Sequence, residues 1–168
     1  GGGFSWDALA RLRDRWDRPM MVKGVMHPDD AERAAALGID GIVVSNHGGR
    51  QFDAAPASVD VLPAIVERVG GRCTIMLDSG VVAGVDVMRA LALGAQGAFS
   101  GRAFMLALAA LGDFGARHMG AAFAEELTSA MAQCGVTSTD QIAGLATRHP
   151  GAWHAEDFQT PASGGNVA

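Results

Sequence analysis

The chain has 168 residues, of which 49% are hydrophobic and 18% charged, and its formal net charge is −5. This length suffices for one domain with a substantial hydrophobic core. The negative charge and the lack of a lysine or arginine cluster argue against a nucleic-acid partner. No apolar run in the sequence approaches the length of a membrane span.

The two cysteines, Cys73 and Cys134, lack the spacing of metal ligands, so we expect two buried free thiols and no metal site. Unpaired thiols are typical of a reducing compartment. We therefore expect a cytoplasmic protein, with peripheral attachment to a membrane as the alternative. The chain begins with three glycines rather than a methionine, and we expect it to be part of a longer or processed polypeptide.

Apolar runs alternate with amphipathic segments, which predicts strands alternating with helices. Ser5 is a candidate N-cap, and Pro28, followed by two aspartates, marks another helix start. In chain order we predict a helix over 5–16, a strand over 19–23, a helix over 28–37, a strand over 41–45, a helix over 58–69, a strand over 73–77, a helix over 85–93, a strand over 97–100 and helices over 104–111 and 114–133. We expect residues 149–168 to form an irregular, partly mobile tail.

The four predicted strands are short, continuous and apolar, which is typical of a buried parallel sheet. A strand followed by a helix, four times over, predicts an α/β fold with right-handed crossovers. Four such units amount to half of a TIM (β/α)8 barrel, although an open, doubly wound sheet would share the same pattern.

Polar side chains follow the predicted strands, where sites lie in both kinds of α/β sheet. Lys23, the only lysine beside twelve arginines, ends the first strand, and Asp78 follows the third. After the second come His47 and Arg50, separated by two glycines. An imidazole can remove a proton near neutral pH, and a guanidinium binds a carboxylate through two parallel hydrogen bonds. Locally, a solvated loop explains this motif equally well.

Several collinear segments between residues 4 and about 148 resemble the C-terminal half of the FMN-dependent 2-hydroxy-acid oxidising family, which includes glycolate oxidase, lactate oxidase and mandelate dehydrogenase. The matching segments are Ser5-Trp6-Asp7 with Leu12-Arg13, Val22-Lys23-Gly24-Val25, residues 42–51 with Asp53, Leu77-Asp78-Ser79-Gly80-Val81, Gly84 with Asp86-Val87, residues 90–94, and Gly101-Arg102. The resemblance implies that residues 1–148 are the C-terminal four βα units of a TIM barrel.

The family's site residues carry over onto matching positions. His47 resembles the catalytic base, which also contacts the substrate, and Arg50 the residue that binds the substrate carboxylate. Lys23 resembles the lysine beside flavin N1, and Ser45 a flavin contact. The remaining cofactor-binding positions are Asp78, Ser79, Gly80, Val81, Val82, Gly101 and Arg102. The resemblance implies oxidation of a 2-hydroxy acid to a 2-oxo acid, with hydride transfer to flavin N5 or initial removal of the α-proton.

Two departures qualify this resemblance. The family usually carries arginine at the position of Val82, so one guanidinium that would face the FMN phosphate is missing. The chain also lacks the family's first half, which supplies substrate tyrosines and the aspartate that orients the base. We therefore expect as partners an N-terminal half, present as a separate or missing chain, a small 2-hydroxy acid and, in a homo-oligomer, further copies of the chain.

Two other functions remain open on the sequence. An inactive or weakly flavin-binding barrel remnant that binds a phosphate ligand would account for Val82. Another FMN barrel enzyme, such as a type 2 isoprenoid diphosphate isomerase, fits the barrel pattern but not the motif at residues 47–51. We expect Asp86 to support local packing. We also expect structural or solvated histidines at 27, 118, 149 and 154, and core positions for Phe104, Phe114 and Phe123.

Overall fold

Four parallel strands form one sheet in the order β1-β2-β3-β4 in this computed structural model, which describes residues 4–145, 147 and 149–158. The strands are β1 (Met21–Val25), β2 (Gly41–Val44), β3 (Thr74–Leu77) and β4 (Gly97–Ala98). The helices are α1 (Trp6–Arg15), α2 (Pro28–Ala36), α3 (Ser58–Val69), α4 (Gly84–Ala92), α5 (Arg102–Leu111) and α6 (Phe114–Gln133). The predicted alternation of strands and helices is confirmed.

The bounds of β1 differ from the prediction, because β1 begins and ends two residues later. The amide of Met20 donates to Oδ2 of Asp40 (2.8 Å) rather than to a neighbouring strand. The strand then continues past Lys23 through Gly24, whose φ of 97° accompanies a break in register before Val25. Glycine adopts this backbone conformation without the steric cost that other residues incur.

Strand β4 is two residues shorter than predicted, because it ends at Ala98 rather than at residue 100. Ser100 donates a hydrogen bond to the carbonyl of Val81 (2.6 Å), which ties the chain to the loop after β3. Helix α5 follows at Arg102, two residues earlier than predicted. Because β4 is short and α5 begins early, Gly101 and Arg102 lie close to the carboxyl end of β4.

The two faces of the sheet have different environments. One face packs beneath the helices and carries the core side chains Ile42, Val44, Ile75 and Leu77. On the other face Lys23, Val43 and Met76 lie side by side in register. Because side chains alternate along a strand, Ser45 and Asp78 share this second face. The alternation therefore directs three of the predicted site residues to one side of the sheet.

The outer strands β1 and β4 each pair with one other strand within the described part of the chain. Large apolar side chains are exposed near them and along α5, namely Met21, Phe99, Met105, Leu106, Leu108 and Leu111. An open sheet edge and exposed apolar side chains are the features that closure of a barrel would cover.

The described part of the C-terminal tail packs against α3. Nε2 of His149 lies 2.7 Å from Oδ1 of Asp60, and the amide of Trp153 donates to the carbonyl of the same aspartate. A 3₁₀ helix over Ala155–Phe158 follows, and Phe158 packs against the ring of His27. The rest of the predicted tail lies outside the described residues.

Two burial predictions are wrong. Cys134 is exposed because it caps the solvent-facing end of α6, whereas Cys73 is buried as predicted, and burial raises the pKa of its thiol. Phe114 is also exposed, at the start of α6, where its ring stacks on His118. Within the described residues no helix is long and apolar enough to span a membrane.

Candidate active site

A cleft of about 280 Å³ lies at the carboxyl ends of the strands. It is lined by Lys23, His47, Gly48, Arg50, Asp78, Ser79, Gly80, Val81, Val82, Phe99, Gly101, Arg102 and Met105. This lining includes every predicted site residue except Ser45. Ser45 is buried beneath the cleft and donates a hydrogen bond to Asp78 in its floor. Gly48 is one of the two glycines predicted to let backbone approach a ligand, whereas sequence reasoning missed Phe99 and Met105. The apolar side chains of Phe99 and Met105 carry no chemical signal in the sequence.

An ion pair forms the floor of the cleft. Nζ of Lys23 donates to Oδ2 of Asp78 (2.6 Å) and to Oγ of Ser45 (2.9 Å), and Ser45 in turn donates to Asp78 (2.5 Å). Burial alone would raise the pKa of Asp78. The hydrogen bonds from Lys23 and Ser45 and the positive charge of Lys23 outweigh burial and lower this pKa. The Lys23 side chain is 50% exposed, so its ammonium remains accessible from the cleft.

The loop after β2 has a left-handed backbone at three successive residues: φ is 57° at His47, 68° at Gly48 and 74° at Gly49. A positive φ is uncommon for a non-glycine residue, and functional sites are among the places where such conformations are found. The turn directs both His47 and Arg50 to the cleft, where their side chains are exposed. Within the described residues no side-chain hydrogen bond engages the imidazole or the guanidinium.

Side chains outside the motif hold this loop through its backbone. The amide of His47 donates to Ser45 Oγ (3.1 Å), and that of Gly48 donates to Ser79 Oγ (2.9 Å). The amide of Gly49 donates to Oδ1 of Asn46 (3.2 Å), whose Nδ2 donates to the carbonyl of Pro56. Sequence reasoning missed the loop-holding role of Asn46, although asparagine in a tight turn commonly bonds nearby backbone.

The N-terminus of α5 offers an anion site at the corner of the cleft lined by Gly101 and Arg102. Within the described residues no side chain caps this helix, and Arg102 occupies its first turn. Uncapped backbone amides and the helix dipole favour a bound anion, and a guanidinium adds charge-assisted hydrogen bonds. Nη2 of Arg102 also donates to the carbonyl of Gly48 (3.3 Å), which joins this corner to the His47 loop.

The N-terminus of α4, in contrast, is already occupied by carboxylates. Oδ2 of Asp86 accepts from the amides of Val82 and Ala83 (3.1 Å each), and Glu126 accepts from the amide of Gly84 (2.6 Å). Asp86 therefore supports local packing, as predicted. Glu126 lies 42 residues from the amide that it caps, so no local pattern could have revealed it.

Val82 faces the cleft with 58% of its surface exposed. The amides of Val82 and Ala83 donate to Asp86, so neither is free to donate to a ligand. A valine offers no hydrogen bond to an anion. At this corner of the cleft, the groups suited to a bound anion are therefore Arg102 and the amides at the start of α5.

The donor set fits a phosphate-bearing flavin mononucleotide. Arg102 and the start of α5 suit its phosphate, the Lys23 ammonium suits a group that gains negative charge, and glycines permit close approach. A Cβ at Gly48 would lie 3.1 Å from Nη2 of Arg102, so a side chain there would require the guanidinium to shift. Within the described residues no cluster of three or more histidine, cysteine, aspartate or glutamate side chains could hold a metal ion.

Comparisons with known proteins identify the family to which the chain is similar. The family model described as FMN-dependent dehydrogenase matches residues 2–148. L-lactate dehydrogenase of Caulobacter sp. (strain K31) is 50% identical over 139 residues, which are 83% of this chain and 37% of that protein. L-lactate dehydrogenase of Alcaligenes faecalis is 46% identical over 148 residues, covering 88% of this chain and 39% of that protein.

Solved structures give the same picture. A crystal structure of mandelate oxidase superposes with a TM-score of 0.84 at 40% identity, covering 88% of this chain and 44% of that chain. The chain thus spans less than half the length of these relatives. Its parallel α/β architecture is that of a partial TIM barrel, as predicted.

Proposed function

The chain belongs to the FMN-dependent dehydrogenase family, and we propose that it carries the base, the carboxylate-binding group and the phosphate corner of a 2-hydroxy-acid dehydrogenase or oxidase. One observation supports this proposal above the others. A single cleft is lined by residues from all four strands or from the loops that follow them, namely Lys23 in β1 and His47, Asp78 and Arg102 after β2, β3 and β4.

Arg50 and His47 perform the substrate chemistry in this proposal. The guanidinium of Arg50 binds the substrate carboxylate and so places the 2-hydroxyl group beside the imidazole. His47 removes the hydroxyl proton, which promotes loss of the α-hydrogen as hydride and yields the 2-oxo acid. A bound FMN would supply the acceptor for that hydride. General-base assistance of this kind contributes roughly 10²- to 10⁴-fold in rate.

Lys23 and Arg102 hold the cofactor in this proposal. The Lys23 ammonium, fixed by Asp78 and Ser45, stabilises negative charge at the flavin ring. Arg102 and the amides at the start of α5 bind the phosphate, which agrees with the general position of phosphate sites after the last two strands of TIM barrels. Gly101 contributes close backbone approach, and the loop from Asp78 to Val82 borders the cofactor.

The remaining barrel units must come from a complementary N-terminal portion, which we propose as the partner of this chain. That portion would pair with the free edges of β1 and β4 and cover the apolar side chains exposed beside them. It would also supply the carboxylate that orients His47, since the described residues provide none. Homo-oligomers built from complete barrels are part of the same proposal.

A barrel remnant that binds a phosphate ligand is the second candidate, because Val82 and the capped α4 weaken the anion site. A visible spectrum separates the two candidates when the complementary portion is present. We expect flavin absorption bands that bleach anaerobically when L-lactate or mandelate is added, since relatives act on these acids by name. A colourless protein, even after addition of FMN, would favour the remnant and overturn the proposed activity.

A further inference from the structure

Ser79 stands out among the residues of the cleft because it is one of two described non-glycine residues with positive φ. Its φ is 82°, and that of the following Gly80 is 81°. A glycine at position 79 would adopt this conformation without steric cost. A serine held in the left-handed region indicates that its side chain is used, since such strain persists only where the surroundings impose it.

The hydroxyl of Ser79 connects two loops that are far apart in sequence. Oγ accepts from the amide of Gly48 (2.9 Å), 31 residues earlier in the chain. It also lies 3.3 Å from Ser45 Oγ and 3.4 Å from Oδ2 of Asp78. Ser79 therefore anchors the backbone beside His47 to the Lys23–Asp78 ion pair that forms the floor of the cleft.

We propose that Ser79 is a positioning residue for His47, whose left-handed backbone it fixes through the hydrogen bond that it accepts from Gly48. This inference rests on the proposed role of His47 as the base. The loop has two separate supports. Ser79 and Ser45 hold the amides of Gly48 and His47, whereas Asn46 holds Gly49, next to Arg50. Loss of Ser79 should therefore impair proton removal more than carboxylate binding.

Two variants separate the hydroxyl from the backbone strain. Ser79→Ala removes the hydroxyl and keeps the strained Cβ, whereas Ser79→Gly removes both. Ser100→Ala is the matched control, because the Ser100 hydroxyl bonds the same β3–α4 loop at Val81 and makes no hydrogen bond to the His47 loop. All are made in the protein with its complementary barrel portion, and the substrate-dependent reduction of flavin is followed by stopped flow.

We expect both Ser79 variants to lower the limiting rate of flavin reduction by about tenfold or more, because small displacements of a catalytic group are costly. The dissociation constants of substrate and FMN should stay within about threefold of the parent values, at the lower end of the range for loss of one hydrogen bond. Ser79→Gly should melt at a higher temperature than Ser79→Ala yet share its slower reduction. Asn46→Ala should instead weaken substrate binding more than it slows reduction.

Amide exchange gives a readout that does not depend on activity. The Gly48 amide should exchange about tenfold faster in both Ser79 variants, as expected for one lost hydrogen bond, and at the parental rate in Ser100→Ala. Parental reduction rates in Ser79→Gly, unchanged Gly48 exchange, or a rate loss explained by weaker FMN binding would each overturn the inference. If the parent protein itself is not reduced by any 2-hydroxy acid, the proposed function fails, and exchange at Gly48 still decides whether Ser79 holds the loop.

Discussion

Nζ of Lys23 lies 2.6 Å from Oδ2 of Asp78, although 55 positions separate the two residues in the chain. The contact joins β1 to the end of β3 across the intervening strand β2. Ser45, at the end of β2, bonds both partners. This cluster ties three strand ends together, so its charge state should affect both the stability of the sheet and the shape of the cleft.

Asp78 should contribute stability that acid removes. The unfolded chain binds a proton at this carboxyl near pH 3.9, whereas the folded pKa is lower because Lys23 and Ser45 stabilise the carboxylate. The stabilisation is therefore present above about pH 3.9 and is lost as the pH falls through the folded pKa. Urea unfolding at several pH values should show a shallower acid dependence for Asp78→Asn. Asp14→Asn, at an exposed position on α1, is the control for removal of one carboxylate charge.

His47→Ala should abolish substrate-dependent flavin reduction and leave FMN bound. The imidazole lines the cleft, and we assign it to the substrate rather than to the phosphate, so we expect its loss to remove roughly 10²- to 10⁴-fold of rate and to leave FMN bound. Anaerobic stopped flow measures the rate, and the flavin spectrum after gel filtration measures binding. His118→Ala, on the exposed surface of α6, should behave as the parent. Reduction of His47→Ala near the parental rate would exclude this residue as the base.

Much of the fold follows from local patterns. The bounds of α3 and α6 agree with the prediction residue for residue. Helix α3 has a buried apolar face and ends at Gly70, and Gly135, which also has a positive φ, follows the last turn of α6. The positions of His47, Asp78 and Arg102 were also predictable, since the carboxyl ends of parallel strands meet at one edge of a sheet.

Contacts between distant segments account for what sequence reasoning missed. Glu126 caps α4 from another helix, and Ser79 bonds a loop 31 residues away. The early end of β4 depends on the hydrogen bond from Ser100 to Val81. None of these contacts leaves a periodic signal, because each depends on how two segments meet in three dimensions.

Arg50→Lys should weaken substrate binding strongly while FMN stays bound. An ammonium cannot reproduce the two parallel hydrogen bonds of a guanidinium with a carboxylate. We expect the substrate dissociation constant to rise by about tenfold or more, as for the loss of one charge-assisted hydrogen bond. The concentration dependence of flavin reduction measures this constant. Arg117→Lys on α6 serves as the control, and parental affinity in Arg50→Lys would mean that the carboxylate binds elsewhere.

Val82→Arg should tighten FMN binding. Val82 is exposed to the cleft, and the amides of Val82 and Ala83 already donate to Asp86. These amides would therefore not compete with the new guanidinium for the phosphate. A second guanidinium would join Arg102 at the phosphate, and one charge-assisted hydrogen bond of about 1.5–3 kcal/mol corresponds to roughly tenfold or greater affinity.

Fluorescence titration of the apoprotein with FMN, in the presence of the complementary barrel portion, measures this gain. Val85→Arg is the matched control. Position 85 lies three residues further along the chain, in the first turn of α4, and faces α6 rather than the cleft. A gain in Val82→Arg alone would support both the barrel register and Arg102 as the existing phosphate ligand. Equal affinity in both variants and the parent would mean that the β3–α4 loop does not face the phosphate.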